Sequence, residues 1–446
     1  TLVENISGQP IGDLPSGHLL AMKDMCLLRH IPDLVHAGIC SFKIEGRMRH
    51  ADLLKIVVGI YRKAIDAYLD NPATYYLSSG EYEQLYHHRI REFTTSLAFT
   101  PASASLVDIS GSREPLFLSR AAKEPSLTIE DIYHAPFEDS VTDYQEAGHP
   151  ILSVKVASMN ALMAALDEEA DRIYISGEVS PLRKQFWTKI SYKEACKRVH
   201  AAGKTIGIGT PRITTEREMA DAAWLFEQAA SLGVDYVLVH NLGTMRLAKE
   251  FGLNILGDYS LNVINGQTVN LLKELGACGV TTSLECSYNH LKQISIESSL
   301  PVECIVHGPV SSMVLEHCIP AMMISKSHKK DNCRQVCQYM GYALKDERGE
   351  LRPIEIDQYC RNHLLLARDI CLLPYLHAFV HTSAKVFRIE AQYYEDGLVK
   401  TLVGLYHKYL NILQEHPNLS LPVQESDWNK LVEESPRGFN LGGYVH

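Results

Sequence analysis

From Ile151 to Ala391 the chain alternates short apolar runs with amphipathic stretches. The runs are ILSVKVAS, DRIYIS, TIGIGTP, YVLVHN, NILGDYS, GVTTSLE, VECIVHG and VFRIEA, all rich in β-branched residues. Helical spacing fills most of the intervals, as in NALMAALDEEA and REMADAAWLFEQAASLG. Eight strands alternating with helices over about 260 residues predict an α/β fold, a (β/α)8 TIM-like barrel. A doubly wound open sheet is the alternative. No glycine-rich phosphate fingerprint follows the first run, which weighs against it.

The same pattern exposes a repeat. The segment from His18, HLLAMKDMCLLRHIPDLVHAGICSFKIEGRMRHADLLKIVVGIYRK, aligns without gaps with the segment from His363. Asp24 meets Asp369, Cys26 meets Cys371, Glu45 meets Glu390 and Tyr61 meets Tyr406. After one inserted residue, Leu85, Arg91 and Phe93 meet Leu431, Arg437 and Phe439. A repeat of this length means two copies of one domain. The organisation expected is the end of a first barrel over 1–99, a linker or small subdomain over 100–150, a complete barrel over 151–416 that carries a cysteine-bearing loop, and an extension over 417–446. The opening TLVENISGQP has no signal-peptide pattern and reads as the cut edge of a longer protein, so the missing N-terminal barrel is an expected partner.

The 446 residues carry a formal charge of −10, which gives no global attraction to nucleic acid. No apolar run is long enough for a membrane span, and a cytoplasmic location is expected. Eleven cysteines without secretory context argue against a disulfide framework. Cys196, Cys278 and Cys304 read as small buried hydrophobes.

Polar residues at or near strand ends mark the expected mouth of the barrel: Thr210, Arg212, His240, Asn241, Asp258, Asn262, Glu285, Glu303, His307, Arg388 and Glu390. Asp258, Glu285, His307 and Glu390 are the candidates for acid–base work, and Arg212, Asn241, Asn262 and Arg388 for holding a substrate, with the arginines suited to an anion. Any one of them could simply be a helix cap or a loop hydrogen bond. No HExxH, GxSxG, Walker or CxxxCxxC signature is present, and no nucleophile–base pair is visible.

The stretch EHCIPAMMISKSHKKDNCRQVCQYMG holds Cys318, Cys333 and Cys337, and Cys360 follows in IDQYCRNH. One helical turn would face Cys333 and Cys337 the same way. Four thiolates suit zinc or an iron–sulfur cluster, and unrelated free thiols are the bland reading. The three-residue gap leans toward 4Fe-4S, because structural zinc more often takes CxxC. The basic run KSHKK with Arg334 would offset an anionic cluster, touch nucleic acid, or remain a solvated loop.

SFKIEGRMRHADLLKIVVGIYRKAIDAY resembles the barrel-ending signature of the collagenase-like peptidase family, U32. VECIVHGPVSSMVLEHC with CRQVCQYMGYALKDERGELRPIEIDQYCRNH resembles its cysteine-bearing signature. The resemblance implies a barrel and either of two activities. One is the collagenase-like proteolysis for which the family is named. The other is hydroxylation of tRNA, ribosomal RNA or a ubiquinone precursor with a 4Fe-4S cluster and, in some members, prephenate. It places the cluster on Cys318, Cys333, Cys337 and Cys360. The chain departs from the pattern at Ser311, where a cysteine often stands, at Glu316, where a glycine stands, and at Ala391 and Gln392, which replace the Gly and Arg of the first copy. Iron–sulfur-dependent tRNA hydroxylation is the function expected. Peptidase activity and a non-catalytic scaffold held by zinc or a cluster are the alternatives.

Overall fold

A computed structural model describes residues 1–11, 18–46, 49–100, 103–108, 124–134, 136–137, 149–183, 186–324, 333, 335–382, 384–416, 419 and 423–445, the side chains of Ala104 and Ser295 excepted. The chain divides into two compact units. The first gathers residues 1–121, 315–349 and 360–362, and the second residues 122–314, 350–359 and 363–446.

The first unit begins with β1 (Leu2–Glu4), β2 (Asp24–Met25), α1 (Ile31–His36), α2 (Ala51–Asp70), α3 (Ser79–His87) and β3 (Phe93–Thr94). Its core is small: Leu28, Ile31, Ile60, Ala64 and Leu85. Asp24 anchors it, pairing with Arg49 at 2.8 Å and accepting from the Arg91 amide at 3.4 Å. The Tyr61 hydroxyl lies 3.7 Å from the Cys26 thiol. The segment Ser41–Glu45, equivalent to the last barrel strand of the second copy, forms no strand here.

The second unit alternates β4 (Ile151–Val156), α4 (Met159–Asp167), β5 (Arg172–Ile175), α5 (Lys189–Ala201), β6 (Thr205–Gly209), α6 (Met219–Leu232), β7 (Tyr236–Val239), α7 (Leu242–Glu250), β8 (Ile255–Gly257), α8 (Gly266–Leu275), β9 (Ala277–Thr281), α9 (Tyr288–Glu297) and β10 (Val302–Gly308). An insertion follows in the chain, with β11 (Ser311–Leu315), then α10 (Ile319–Ile324) and β12 (Tyr342–Lys345), both in the first unit, then β13 (Leu351–Ile356) and β14 (Asn362–Leu365). Then come β15 (Asp369–Cys371), α11 (Leu376–Val380), β16 (Val386–Glu390), α12 (Asp396–Glu415), α13 (Glu425–Glu434) and β17 (Phe439–Asn440). All eight expected strands are present. Cys278, read as a small buried hydrophobe, is only half-buried, within β9.

Strands β4 to β10 pair in sequence order, all parallel, and β16 closes the ring between β10 and β4. Ile151 pairs with Val386 in that closure. This is the (β/α)8 barrel expected, and the open sheet is excluded. The strand period of two decides what faces where. On β4, Leu152, Val154 and Val156 join the layer under the helices, while Ser153 and Lys155 are buried on the opposite face, inside the barrel. On β16, Phe387 and Ile389 take the outer positions and Arg388 and Glu390 the inner ones. The lining of this barrel therefore contains charge as well as packed apolar side chains.

All eleven cysteines are free of disulfides. Among the described residues no helix is long and apolar enough to cross a membrane.

Candidate functional site

Inside the barrel an ion network converges from four strands. Arg388 is wholly buried and reaches three carboxylates. Its Nη2 donates to Asp258 Oδ1 at 2.5 Å, its Nη1 lies 3.6 Å from Glu303 Oε2, and its Nε lies 2.7 Å from Glu390 Oε1. Lys155 adds a second buried cation, 3.6 Å from Glu390 and 3.9 Å from Asp258. Glu303 accepts hydroxyls from Ser153 at 2.5 Å, Tyr174 at 3.2 Å and Thr281 at 3.0 Å, which fixes it deep in the barrel. Gln392, where the first copy has Arg47, donates to Glu390 at 2.8 Å.

Burial of this kind penalises every charge unless an opposite charge answers it. Burial by itself would raise Asp258, but Arg388, His240 and Lys155 hold it well below the usual carboxylate range. Burial likewise opposes the Lys155 charge, and Glu390, Asp258 and Glu178 more than restore it. Glu178 is held down by Lys155, His240 and His363 against the same penalty. His240 moves the other way. Desolvation lowers it, and Lys155 and Arg388 add to that against Asp258 and Glu178, so its neutral form is favoured.

At the mouth, Arg212 is half-buried. Its amide donates to Glu178 at 2.6 Å, its guanidinium donates to the Ser311 carbonyl at 3.3 Å, and it lies 5.5 Å from the Tyr259 ring centroid. A small cavity of about 20 Å³ is lined by Glu178, Tyr259, Ser311, Glu390, Gln392 and Tyr393, among others.

The sequence-derived candidates separate. Asp258, Glu390, Arg388, Glu303 and His240 come together. Arg388, expected to hold a ligand anion, already has its charge matched by three carboxylates. Asn241 caps α7, accepting the Thr244 amide at 2.9 Å. Asn262 is exposed in the left-handed region at φ 57° and accepts from Ser283 at 2.7 Å. Glu285 is exposed on the loop after β9. Thr210 is buried beyond β6.

His307 is the largest departure. A register shift between Ile305 and His307 marks a bulge in β10. By strand parity His307 would share the inner face with Glu303 and Ile305, but the bulge re-aims it. It packs between Tyr394, Tyr406 and Phe439, and its Nδ1 lies 3.3 Å from the Tyr406 hydroxyl. Burial lowers its pKa to about 3. His307 is a neutral core residue and not a group at the mouth.

Sequence reasoning missed Lys155, Glu178, Tyr259 and Ser260. Lys155 had a readable signal. In ILSVKVAS it shares parity with Ser153, opposite Leu152, Val154 and Val156.

The four cysteines of the second signature lie in the first unit. Burial first, and then the thiols of Cys318, Cys360 and Cys333, together raise the Cys337 thiol to about 12, so all four share one neighbourhood. Asn362 ties two of their segments together. It accepts the Ile319 amide, next to Cys318, at 2.9 Å and donates to the Cys360 carbonyl at 3.4 Å. Glu316, where the family has glycine, pairs with Arg361 and draws the same two segments together. Cys360 itself adopts φ 62°, and the Gln335 amide donates to Cys333 Sγ at 3.4 Å. Among the described residues no three His, Cys, Asp or Glu side chains close to single-ion spacing. Electrostatic influence reaches farther than a coordination bond, so the thiols are neighbours without meeting at one point. As a donor set, four thiols suit an iron–sulfur cluster or zinc. Ser311 belongs to the other unit, and its hydroxyl donates to the Met313 carbonyl at 3.2 Å. KSHKK and Arg334 lie outside the described residues.

A family model described as peptidase family U32 matches residues 3–107 and 157–446. An uncharacterized protease of Methanocaldococcus jannaschii is 24% identical over 262 residues, covering 57% of this chain and 63% of that protein. A 23S rRNA 5-hydroxycytidine synthase of Escherichia coli is 23% identical over 278 residues, covering 61% of this chain and 41% of the enzyme. A tRNA hydroxylation protein of Bacillus subtilis is 36% identical over 74 residues, covering 17% of this chain and 18% of that protein. The chain thus spans less than two thirds of each of these relatives. A solved U32 peptidase aligns with 57% of the chain and 98% of its own, at 12% identity and a TM-score of 0.35.

Proposed function

Because the chain belongs to peptidase family U32, we propose that it serves RNA hydroxylation and that Cys318, Cys333, Cys337 and Cys360 hold a 4Fe-4S cluster. The observation that carries the reading is the shared neighbourhood of these four thiols, drawn from separate stretches of the chain. The similarity to proteins named for rRNA and tRNA hydroxylation supports an RNA as the partner.

A bound cluster would supply one-electron chemistry. The chain's own residues prepare the place for it. Asn362 and the Glu316–Arg361 pair hold the Cys318 and Cys360 segments together. The Gln335 amide offers a hydrogen bond to the Cys333 sulfur, the kind of contact that tunes a cluster's potential. In the barrel, Arg212 is the half-buried cation available to a small anionic co-substrate such as prephenate. Arg388 and Lys155 are spent on carboxylates.

The test is anaerobic purification of the full chain with iron, sulfide and zinc analysis, beside the Cys337→Ser variant. About four irons and four sulfides per chain, with visible absorption lost in the variant, is the expected result. A colourless, iron-free protein ends the cluster reading, and stoichiometric zinc replaces it with a structural metal. Restoration of hydroxylated RNA in a strain lacking the gene, by the wild type and not by Cys337→Ser, tests the activity separately.

A further inference from the structure

Three side chains at the ends of β7 and β8 stand in a relay that no signature in the sequence announces. His240 Nδ1 lies 3.0 Å from Ser260 Oγ, and His240 Nε2 lies 3.2 Å from Asp258 Oδ2. Both distances are those of a nucleophile–base–carboxylate arrangement. We propose that Ser260, His240 and Asp258 form a serine-type acyl-transfer centre, acting on carboxylic esters or peptide acyl groups. The proposal does not rest on the cluster.

The local structure is built to hold the serine. Asp258 directly follows β8 and caps the turn Tyr259–Leu261, its Oδ1 accepting the Tyr259 amide at 2.7 Å. The turn closes through the Leu261 amide on the Asp258 carbonyl at 2.9 Å and the Asn262 amide on the Tyr259 carbonyl at 3.0 Å. Asn262 leaves it in the left-handed region, held by the Ser283 hydroxyl. A serine on a tight turn directly after a parallel barrel strand is presented on the face where such barrels act. Ser260 is half-buried, while His240 and Asp258 are shielded from solvent.

The proton inventory fits. If the Ser260 hydroxyl donates to Nδ1, the other ring nitrogen carries the hydrogen and faces the carboxylate. The His240–Asp258 contact lies off the hydrogen-bond axis in the resting state, a looseness common before a substrate tightens such a site. In the reaction, Ser260 Oγ bonds to the acyl carbon and its proton passes to Nδ1. The resulting imidazolium is stabilised by Asp258. The bond from acyl carbon to leaving group then breaks, and the leaving oxygen or nitrogen takes the proton from Nδ1. Water, deprotonated by the same nitrogen, later bonds to the acyl carbon; the bond to Ser260 Oγ breaks and that oxygen takes the proton back from Nδ1, releasing the acid. The small cavity beside Tyr259 has room for about one water. Two features make turnover slow. Asp258 also answers Arg388 and Lys155, and the amide after the serine, the usual oxyanion donor, is committed to the Asp258 carbonyl.

The experiment therefore reads acylation and not turnover. The full chain is treated with diisopropyl fluorophosphate and mapped by peptide mass, and separately mixed with p-nitrophenyl acetate. One phosphoryl adduct on Ser260 is expected, with a p-nitrophenolate burst approaching one equivalent. Ser260→Ala should abolish both, and His240→Gln should slow both at least tenfold. As a second handle, Ser260→Cys should be alkylated by iodoacetamide at least tenfold faster than Ser260→Cys combined with His240→Gln. An adduct on another residue, no adduct at all, or labelling unchanged in Ser260→Ala overturns the proposal. Thermal melts of each variant separate loss of the nucleophile from loss of the fold.

Discussion

Arg388 and Asp258 meet at 2.5 Å between Nη2 and Oδ1, with both side chains wholly shielded from solvent. Such a pair is costly to break from one side, because the partner is left as a buried, unanswered charge. Asp258→Asn leaves Arg388 and Lys155 with less negative charge than they need. It should lower the free energy of unfolding by about 3–5 kcal/mol, read from a urea titration. The folded-state pKa of Asp258 lies below its unfolded value, so its contribution is present above about pH 4 and is lost as pH falls through the folded value.

His307 gives an acid-side dependence of another origin. Its pKa is about 3 in the folded chain and near 6.5 when unfolded. The unfolded chain therefore binds more protons between those values, and stability falls as pH drops through that window. The loss should reach about 2 kcal/mol at pH 5 relative to pH 7. His307→Phe, in a site already lined by Tyr394, Tyr406 and Phe439, should remove that part of the dependence. Melting curves of both proteins at pH 5 and 7 check it.

Asn362 is fully buried and bonded to both cysteine-bearing segments. Asn362→Ala leaves the Ile319 amide without its acceptor, at about 1–3 kcal/mol. If the four thiols hold a metal group, the variant should also lose it to a chelator at least several-fold faster than the wild type. Equal release rates would mean that the tie does not organise the site.

Equivalent positions in the two copies should respond differently to one change. Val403 on α12 is 0% exposed and Val58 on α2 is 50% exposed. Val403→Ala should cost about 2 kcal/mol, and Val58→Ala less than about 0.5 kcal/mol. Denaturant unfolding of the two single variants decides it.

The barrel was legible because periodicity survives in one dimension: eight β-branched runs, each followed by an element the strand could pack against. The repeat was legible because aligned identities need no structure. What escaped was set by local geometry or by distant pairing. The bulge at Ile305 to His307 leaves no composition signal, and it carries a residue that parity would place inside the barrel out into an aromatic layer. Ser260 and His240 lie on different turns and become partners only when β7 and β8 pair. Lys155 looked like an interruption of an apolar run. It is the charge that Glu390 and Asp258 require.

The anchoring of Asp24 and Asp369 has a kinetic side. In the first copy Asp24 is held by Arg49 and the Arg91 amide, and in the second Asp369 is held by Tyr394 and Arg437. These contacts span 25 to 68 residues of chain, whereas closing the barrel must bring Ile151 to Val386. Loop entropy rises with separation, so short-range contacts form first and distant ones set the pace. Each tail cassette can thus gather early around its own aspartate. In the second copy it would then wait for β4 to arrive, making ring closure the slow step of folding.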